Sequence, residues 1–423
     1  MTAVISQGWS RERSIAVPHI NLPPKLIPNM TTVAYANGYN WGFKTLLDPT
    51  PASCGFDVLI VAFLYTTNQV AEQNGKPQTS DGFLTFYYGF EMDAGSGNAY
   101  TMDSTYAAWL KAFQLNGGKV LISIGGAAYW GAVYTAWSAA PETVASNLIS
   151  FLGQSQTANG FAFDGVDIDY EDSPALVLPN PATNPNNRNQ YDGVDLMIRL
   201  TNQIVKLTSA SFIITHAPEP QYLTNMPGSS YNISGYIPIL ATVGANISWL
   251  NVQMYNQDVS WLNAAGMSSV FSPLLQGTAT AVYLGKSYTV AAMLPKHLAI
   301  GKPLESTDAS NYMLPAELPL FVQQVFPSIP HSMFPIMFWA LNTCGGSSCS
   351  AEQSTRLADI KTFTANYRQG AGLHMPSTAP LSPYSGHASL GSYHPGVRTS
   401  SLPGGCVSIS VPGVPGTFKF CAT

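Results

Sequence analysis

Charged residues are scarce in this chain, and no part of it is strongly basic. Asp, Glu, Lys and Arg make up 10% of the 423 residues, and 18 basic against 23 acidic residues give a formal net charge of -5. A nucleic-acid-binding surface needs clustered Lys and Arg to neutralise phosphates, and the sequence has no such cluster. The composition therefore argues against nucleic acid as a partner.

Long hydrophobic runs are also missing from the sequence. The longest apolar stretches, such as Val58 to Leu64, are as long as a β-strand and fall far short of the roughly 20 residues that a membrane span needs. The first residues, Met1 to Ser14, contain no apolar signal-peptide region. We therefore expect no membrane partner, and a signal peptide that is not present in this chain.

Five cysteines are too few for a disulfide-rich scaffold. Cys344 with Cys349 and Cys406 with Cys421 are locally spaced pairs, and Cys54 is left over. Three asparagines begin Asn-x-Ser/Thr sequons: Asn29, Asn232 and Asn246. Both patterns favour an extracellular, secreted protein with disulfide bonds, and coincidence is the alternative for each.

Hydrophobic residues, at 46%, are plentiful enough for a large core. They gather in eight short runs: Thr32 to Ala36, Val58 to Tyr65, Lys119 to Ile124, Gly165 to Tyr170, Phe212 to Thr215, Trp249 to Tyr255, Leu298 to Gly301 and Ile336 to Ala340. Helix-like stretches lie between them: Ser104 to Leu115, Pro141 to Gln154, Asp192 to Leu207 and Pro315 to Phe326. This alternation implies a parallel sheet with crossover helices, and eight repeats predict an α/β fold, a (β/α)8 TIM barrel. Thr66 to Met102 and Pro179 to Asn189 are expected to be loop insertions without helices.

The predicted barrel fills residues 31–368, after an N-terminal segment of residues 1–30. Residues 369–423 form a C-terminal extension rich in Gly, Pro, Ser and His, predicted to be a tail or a small β appendage. Apolar and polar residues partly alternate from Cys406 to Phe420, which is compatible with a closing hairpin pinned by Cys406 and Cys421. A disordered extension is the alternative.

The segment from Val166 to Glu171 alternates strictly between apolar and acidic residues. Its two faces are Val166, Ile168 and Tyr170 on one side, and Asp167, Asp169 and Glu171 on the other. In a barrel strand the apolar face would meet the helices, so the acids would line the barrel near its C-terminal mouth. Carboxyl groups about 7 Å apart should push each other's pKa values apart, and a neutral one can then act as a general acid.

Two other interpretations of the acids compete with catalysis. A calcium loop needs Gly at the sixth position and a bidentate Glu at the twelfth, where this chain has Asp172 and Leu178. A solvated acidic face is the second alternative. The seven histidines show no i, i+4 zinc pair, and there is no Gly-x-Ser-x-Gly elbow, so we expect neither a metal nor a cofactor.

The sequence resembles glycoside hydrolase family 18, the chitinases and related endo-N-acetylglucosaminidases. The family signature Asp-Gly-x-Asp-x-Asp-x-Glu is matched completely by Asp164 to Glu171, and its Ser-x-Gly-Gly motif by Ser123 to Gly126. Gln253 to Asn256 looks like the Tyr-containing motif at the end of strand six, and Phe338 to Ala340 is similar to the motif with the barrel-floor tryptophan. The resemblance covers roughly Thr31 to Asn342.

The resemblance implies a mechanism for four catalytic residues. Glu171 would protonate the glycosidic oxygen, while the substrate's own 2-acetamido oxygen attacks the anomeric carbon, giving an oxazolinium intermediate and retained stereochemistry. Asp169 would orient the acetamido group, and Asp167 would share a proton with Asp169. Tyr255 would donate its hydroxyl to the acetamido oxygen.

The resemblance also implies a set of substrate contacts: Trp339, Tyr35, Gly126, Gln253, Met254 and Asn256. Trp339 would present an apolar face to a sugar ring, the two amides would bind hydroxyls, and Gly126 would leave room for the substrate. Tyr35, like His216 to Pro218, fits the family less specifically. Two positions depart from common family residues, since Asn256 replaces an Asp and Tyr170 a Trp, and Tyr170 is expected to pack outward.

These observations predict a retaining hydrolase of β-1,4-linked N-acetylglucosamine polymers (chitin), acting as a monomer on a polysaccharide or oligosaccharide. An endo-β-N-acetylglucosaminidase acting on glycoprotein glycans or peptidoglycan is one alternative. A chitin-binding lectin on the same barrel is another, although lectins of this kind usually lose the acidic Glu that this chain keeps.

Overall fold

The computed structural model describes residues 32–37, 48–73, 75–88, 99–127, 131–178, 190–224, 233–257, 261, 263–306, 308–314, 317–341, 358–365, 367, 398–402, 406–410 and 418–421. Their strands are β1 (Thr32–Asn37), β2 (Val58–Thr66), β3 (Phe86–Tyr88), β4 (Lys119–Gly125), β5 (Gly165–Asp169), β6 (Ile213–His216), β7 (Trp249–Gln253), β8 (Thr280–Tyr283), β9 (Lys286–Thr289), β10 (Leu298–Pro303), β11 (Ile336–Trp339), β12 (Arg398–Leu402), β13 (Cys406–Ser410) and β14 (Phe418–Cys421).

Eight parallel strands close into a barrel. They pair in the order β1-β11-β10-β7-β6-β5-β4-β2, and β2 pairs back onto β1. The closure is visible at Val33, which lies opposite Met337 on one side and Val58 on the other. All eight predicted strands are present within a few residues of their expected bounds, so the predicted (β/α)8 barrel is confirmed.

Helices cover the outside of the barrel: α1 (Pro51–Cys54), α2 (Thr67–Gln73), α3 (Ser104–Leu115), α4 (Gly131–Ala139), α5 (Pro141–Asn159), α6 (Gly193–Leu207), α7 (Tyr236–Val243), α8 (Ala264–Gln276) and α9 (Leu318–Val325). Local chemistry sets their ends. Asp192 accepts hydrogen bonds from two backbone N–H groups at the start of α6, and Gly160 ends α5 in the left-handed conformation. No helix of the described residues is long and apolar enough to cross a membrane.

The stretch from Thr66 to Met102 is not the plain loop insertion that the sequence predicted. It holds α2, a 3-10 turn at Asp81–Phe83 and β3, which pairs antiparallel with the end of β2. Because β2 extends past the barrel to Thr66, its free edge accepts this ninth strand. The other expected insertion, Pro179 to Asn189, lies outside the described residues.

The hydrophobic residues form two cores, as a barrel requires. The inner core fills the barrel and includes Val33, Tyr35 and Tyr255. The outer core lies between the sheet and the helices and includes Val166 and Ile168 of β5. Alternation along each strand sends neighbouring side chains to different cores, so inward positions of β5 are available for polar groups.

The chain divides into two compact units, Met1–Ala371 and Gly372–Thr423. The described part of the second unit is an antiparallel sheet in the order β12-β13-β14. Its register places Cys406 directly opposite Cys421, at the ends of the β13–β14 hairpin. The domain bounds given by the sequence stay predictions, and the pair Cys344 and Cys349 lies outside the described residues.

We expect Cys406 and Cys421 to form a disulfide bond under oxidising conditions. Directly opposed residues of antiparallel strands have Cα atoms about 4.5–5.5 Å apart, which falls in the range of a disulfide. Closing this short loop should stabilise the second unit by roughly 3 kcal/mol. Mass spectrometry of the peptides before and after reduction checks it. Alkylation of both thiols without reductant would contradict it, and the buried free thiol of Cys54 serves as the internal control.

Candidate active site

Strand β5 brings three carboxyl groups to the barrel's C-terminal mouth. Asp167 is completely buried, Asp169 is 5% exposed, and Glu171, just after the strand, is half-buried. The alternating residues Val166 and Ile168 pack in the outer core. The predicted division of this strand into an apolar outward face and an acidic inward face is therefore what the fold produces.

Asp167 is held by neutral donors from neighbouring strands. Its Oδ2 accepts from the Tyr35 hydroxyl at 2.8 Å and the Ser123 hydroxyl at 2.7 Å. Its Oδ1 accepts from the Thr215 hydroxyl at 2.6 Å and from Asn251 Nδ2 at 3.2 Å. Burial raises the pKa of Asp167, and the four donors oppose that rise because they stabilise the charged form. This carboxyl group is thus fixed rigidly at the centre of the barrel.

Asp169 and Glu171 form a hydrogen-bonded pair. Gln253 Nε2 bridges them, donating to Asp169 Oδ1 at 2.8 Å and to Glu171 Oε1 at 3.3 Å. Burial raises the pKa of Asp169 well above its usual range, and the charges of Glu171 and Asp167 add to this. Burial is also the main cause that raises the pKa of Glu171 to about 7. The hydrogen bond between them raises the pKa of Asp169 and lowers that of Glu171. Asp169 therefore keeps its proton to a higher pH, and Glu171 carries one as well below a pH of about 7.

The sequence analysis expected Asp169 to share its proton with Asp167. In this structure Asp169 is hydrogen-bonded to Glu171 and Gln253, whereas Asp167 is occupied by its four neutral donors. The expectation came from the resemblance to the family, and alternation along the strand brings all three carboxyl groups to one face without fixing which two meet. Proton sharing between Asp169 and Asp167 stays a prediction.

Two tyrosines face the carboxyl groups from inside the barrel. Tyr35 donates to Asp167, and Tyr255 is 6% exposed and packs in the inner core. Burial, followed by the charges of Asp169 and Glu171, raises the pKa of Tyr255 far above its ordinary value. Its hydroxyl therefore keeps its proton and can act as a hydrogen-bond donor.

Aromatic rings line the mouth at the end of β11. Trp339 is half-buried, with its ring centroid 5.8 Å from that of Tyr35 and 5.9 Å from that of Phe63. Fixed rings with one open face suit the apolar face of a sugar. The structure thus brings Trp339 and Tyr35 together with the acids, as the sequence predicted.

The paired glycines after β4 allow this strand to approach β5 closely. A Cβ atom at Gly125 would lie 2.0 Å from the backbone oxygen of Asp169, and Gly125 has a φ of 108°. The N–H of Gly126 donates to the same oxygen at 2.7 Å, and a Cβ atom there would meet the Phe63 ring at 2.6 Å. Both glycines therefore set the position of Asp169.

Comparison with known proteins decides the family. The family model described as "Glycosyl hydrolases family 18" matches residues 32–317, more than half of the chain. This chain belongs to glycoside hydrolase family 18. The matched range contains the acidic strand, the paired glycines and Tyr255, whereas Trp339 lies beyond it.

Curated relatives and solved structures agree with this assignment. The chain is 26% identical over 322 residues to Endochitinase 37 of Trichoderma harzianum, covering 74% of this chain and 83% of that protein. It is 26% identical to Exochitinase 1 of Streptomyces olivaceoviridis, of which it spans 48%. A family 18 chitinase from Pseudoalteromonas aurantia has a similar crystal structure, with a TM-score of 0.54, 25% identity, and coverage of 79% of this chain and 99% of that one. This family 18 protein is thus a glycoside hydrolase similar to chitinases.

Two predicted substrate contacts of this family 18 hydrolase have other partners in the structure. Met254 is completely buried in the outer core, away from the mouth. Asn256 is exposed at the mouth, and its Oδ1 accepts from the backbone N–H of Ser310 at 2.8 Å, which joins the loops after β7 and β10. Contact of either residue with substrate stays a prediction, and the burial of Met254 does not favour it.

The first acid of the family 18 signature, Asp164, has a structural role that sequence reasoning missed. It lies before β5, and Lys119 Nζ donates to its Oδ1 at 2.8 Å. Its Oδ2 accepts from Gln114 Nε2 at 2.7 Å and the backbone N–H of Val120 at 3.0 Å. Asp164 therefore fastens the start of β5 to β4 and to the end of α3.

Glu219 is a fourth carboxyl group that the sequence analysis did not identify. It follows β6, and its charge raises the pKa values of both Asp169 and Glu171. Nothing in its sequence neighbourhood, His-Ala-Pro-Glu-Pro, signals this position. Its place after the end of a barrel strand was the available signal, because such positions meet at one mouth.

Proposed function

We propose that this protein hydrolyses β-1,4-linked N-acetylglucosamine polymers of the chitin class, with retention of configuration at the anomeric carbon. The observation that carries the proposal is the Asp169–Glu171 pair, in which burial raises the pKa of Glu171 to about 7. A carboxylic acid with this pKa keeps its proton near neutral pH and can still release it to a leaving group. Chitinases among the relatives support the substrate class.

In the first step, Glu171 gives its proton to the glycosidic oxygen as the bond between that oxygen and C1 breaks. The carbonyl oxygen of the substrate's 2-acetamido group forms a bond to C1, which yields an oxazolinium ion. Asp169 accepts a hydrogen bond from the acetamido N–H and stabilises the positive charge that develops there. The Tyr255 hydroxyl donates to the acetamido oxygen and holds it in line with C1.

In the second step, Glu171 acts as a base. It takes a proton from a water molecule as the water oxygen attacks C1, and the bond between C1 and the acetamido oxygen breaks. Two displacements at C1 give net retention, and Glu171 ends with the proton that it held at the start. Before substrate binds, burial and the charges of Glu171 and Asp167 favour a neutral Asp169. When substrate binds, Asp169 passes its proton to Asp167 and becomes negative beside the oxazolinium ion, and the proton returns to Asp169 when product leaves.

The walls of the mouth would supply the binding contacts. Trp339 offers a fixed aromatic face beneath the sugar whose glycosidic bond breaks, supported by Tyr35 and Phe63. Gln253 reaches the acids with its amide N–H and is already bonded to the Ala217 carbonyl at 2.9 Å. We expect these contacts to hold an N-acetylglucosamine ring over Asp169, where its acetamido group would react.

A product analysis tests the proposed substrate and stereochemistry. We expect shorter N-acetylglucosamine oligomers from chitin, with the β-anomer formed first in NMR spectra taken before mutarotation. Cleavage of glycoprotein glycans or peptidoglycan, with chitin left intact, would favour the endo-β-N-acetylglucosaminidase alternative. An α-anomer as the first product would contradict the retaining mechanism. Oligosaccharide binding without any cleavage would indicate a lectin.

The proposal keeps three further predictions of the sequence. The enzyme is expected to work as a monomer, outside the cell and without a cofactor. Among the described residues, no group of three His, Cys, Asp or Glu side chains is arranged to hold a metal ion. In the mechanism above, Glu171 carries out the proton transfers at the glycosidic bond, and the nucleophiles are the acetamido oxygen of the substrate and a water molecule.

A further inference from the structure

Glu219 lies in the short loop after β6, at the barrel mouth that holds Asp169 and Glu171. Its Oε1 accepts from the Tyr222 hydroxyl at 2.9 Å. Its Oε2 accepts from Gln257 Nε2 at 3.1 Å and from the Gln221 side chain. Burial raises the pKa of Glu219, and these three hydrogen bonds oppose that rise because they stabilise the charged form. All three donors are neutral, so they do not cancel the negative charge on Glu219.

The hydrogen-bond partners of Glu219 connect it to the segment that follows Glu171. The Tyr222 hydroxyl also lies 3.0 Å from the hydroxyl of Ser173, two residues after Glu171. Gln257 follows β7, and its backbone N–H donates to Asn311 Oδ1 at 3.2 Å in the loop after β10. Glu219 thus joins its own loop after β6 to the loop after β7. It reaches the loop after β5 through Tyr222 and the loop after β10 through Gln257.

The charge of Glu219 acts on the acids of the mouth. After burial, it is the next cause that raises the pKa of Glu171 to about 7, and it also raises that of Asp169. Other titratable groups in the described part of the chain also interact electrostatically with this pair: Tyr35, Tyr134, Tyr222, Tyr236, Tyr255 and Asp167. These groups are acids and phenols, so the surroundings of Glu171 disfavour a further negative charge.

We infer that Glu219 is a positioning residue that holds a negative charge against Glu171 and ties the loops of the mouth together, so that Glu171 enters the reaction carrying its proton. This inference rests on the proposed function for its effect on hydrolysis. Its effect on the proton of Glu171 exists whether or not the protein is an enzyme. The two consequences can therefore be measured separately.

The test compares the pH dependence of kcat/KM for wild type and Glu219→Gln with a chromogenic N-acetylglucosamine oligomer. Wild type should lose activity as the pH rises through about 7, where Glu171 loses its proton. In Glu219→Gln this alkaline limb should move to lower pH by roughly half a unit or more, because a nearby like charge is removed. The loss of activity is therefore larger at alkaline pH than at acidic pH.

Tyr222→Phe is the matched control, because it removes one hydrogen bond to Glu219 and keeps the charge. Its alkaline limb should stay near that of wild type. If Glu219 had only a structural role, both variants would lower kcat/KM by a constant factor at every pH, and this result would overturn the inference. Glu219→Ala provides a second neutral variant if Glu219→Gln does not fold.

A titration by NMR separates the inference from the proposed function. Carboxyl ¹³C signals of glutamate-labelled protein report the protonation of Glu171, which is assigned from the signal missing in Glu171→Gln. The titration midpoint of Glu171 should fall in Glu219→Gln even if chitin oligomers are not cleaved. An unchanged midpoint would refute the inference, whereas an inactive wild type with a shifted midpoint would refute only the proposed function.

Discussion

Glu171→Gln is expected to lower the turnover of chitin oligosaccharides by about 10²- to 10⁴-fold, the range of a general acid and base. Gln has nearly the same shape, but it can neither donate a proton to the glycosidic oxygen nor take one from water. Gln253 already donates to Glu171 Oε1, and the amide oxygen of Gln can accept the same bond. Substrate should therefore still bind, and release of a chromogenic leaving group together with calorimetric binding measures both effects.

Glu142→Gln is the matched control for this loss of turnover. Glu142 lies on α5, where it forms a salt bridge with Arg199 at 2.7 Å, outside the barrel interior. Its replacement removes a carboxylate without touching the mouth, and activity should stay near that of wild type. Undiminished turnover by Glu171→Gln would refute the assignment of the acid. Loss of both turnover and binding in a folded variant would show that Glu171 acts in binding as well.

Lys302→Met is expected to stabilise the fold by about 3 kcal/mol at neutral pH. Lys302 in β10 is 1% exposed, and its Nζ has no hydrogen-bond partner in the described part of the chain. Burial lowers the pKa of Lys302 from 10.5 to about 8, so folding opposes the charged amine. In β10, Lys302 lies opposite Phe338 of the outer core, on the side of the strand that faces away from the barrel interior. Its replacement should therefore leave activity intact.

The pH dependence of this gain in stability follows from the lowered pKa of Lys302 in the folded protein. Below a pH of about 8 the amine is charged in both states, and the folded protein bears the full penalty. As the pH rises from 8 towards 10.5 the folded state loses its proton first, so the wild type becomes more stable and the gain shrinks. Denaturant unfolding at several pH values measures it, with exposed Lys76→Met as the control. An equal or smaller stability than wild type at neutral pH would contradict the expectation.

The sequence predicted the barrel well because its signals are local. Alternation and β-branched runs gave the eight strands, and the same period gave the inward direction of Asp167 and Asp169. The ninth strand, Phe86–Tyr88, is only three residues long and depends on the exposed edge of β2, which no local pattern reveals. Strand bounds thus follow from short-range chemistry, whereas additions to the sheet depend on tertiary contacts.

The candidate site was predicted only in part, for a similar reason. A resemblance to the family gave Glu171, Tyr255 and Trp339. Glu219 is a single acid among prolines, and its importance comes from partners in its own loop after β6 and in the loop after β7. Met254 lies next to Tyr255 in the sequence, yet alternation sends it to the outer core.

The acidic signature carries two independent functions at its two ends. Asp164 links the start of β5 to Lys119, whereas Glu171 lies at the other end of the signature, at the mouth. On the proposed function, a chain that lost Glu171 would keep its barrel and the aromatic rings of its mouth, and it would still bind sugar. Evolution could therefore convert such an enzyme into a sugar-binding protein by one substitution at the mouth, whereas a change at the foot would endanger the fold itself.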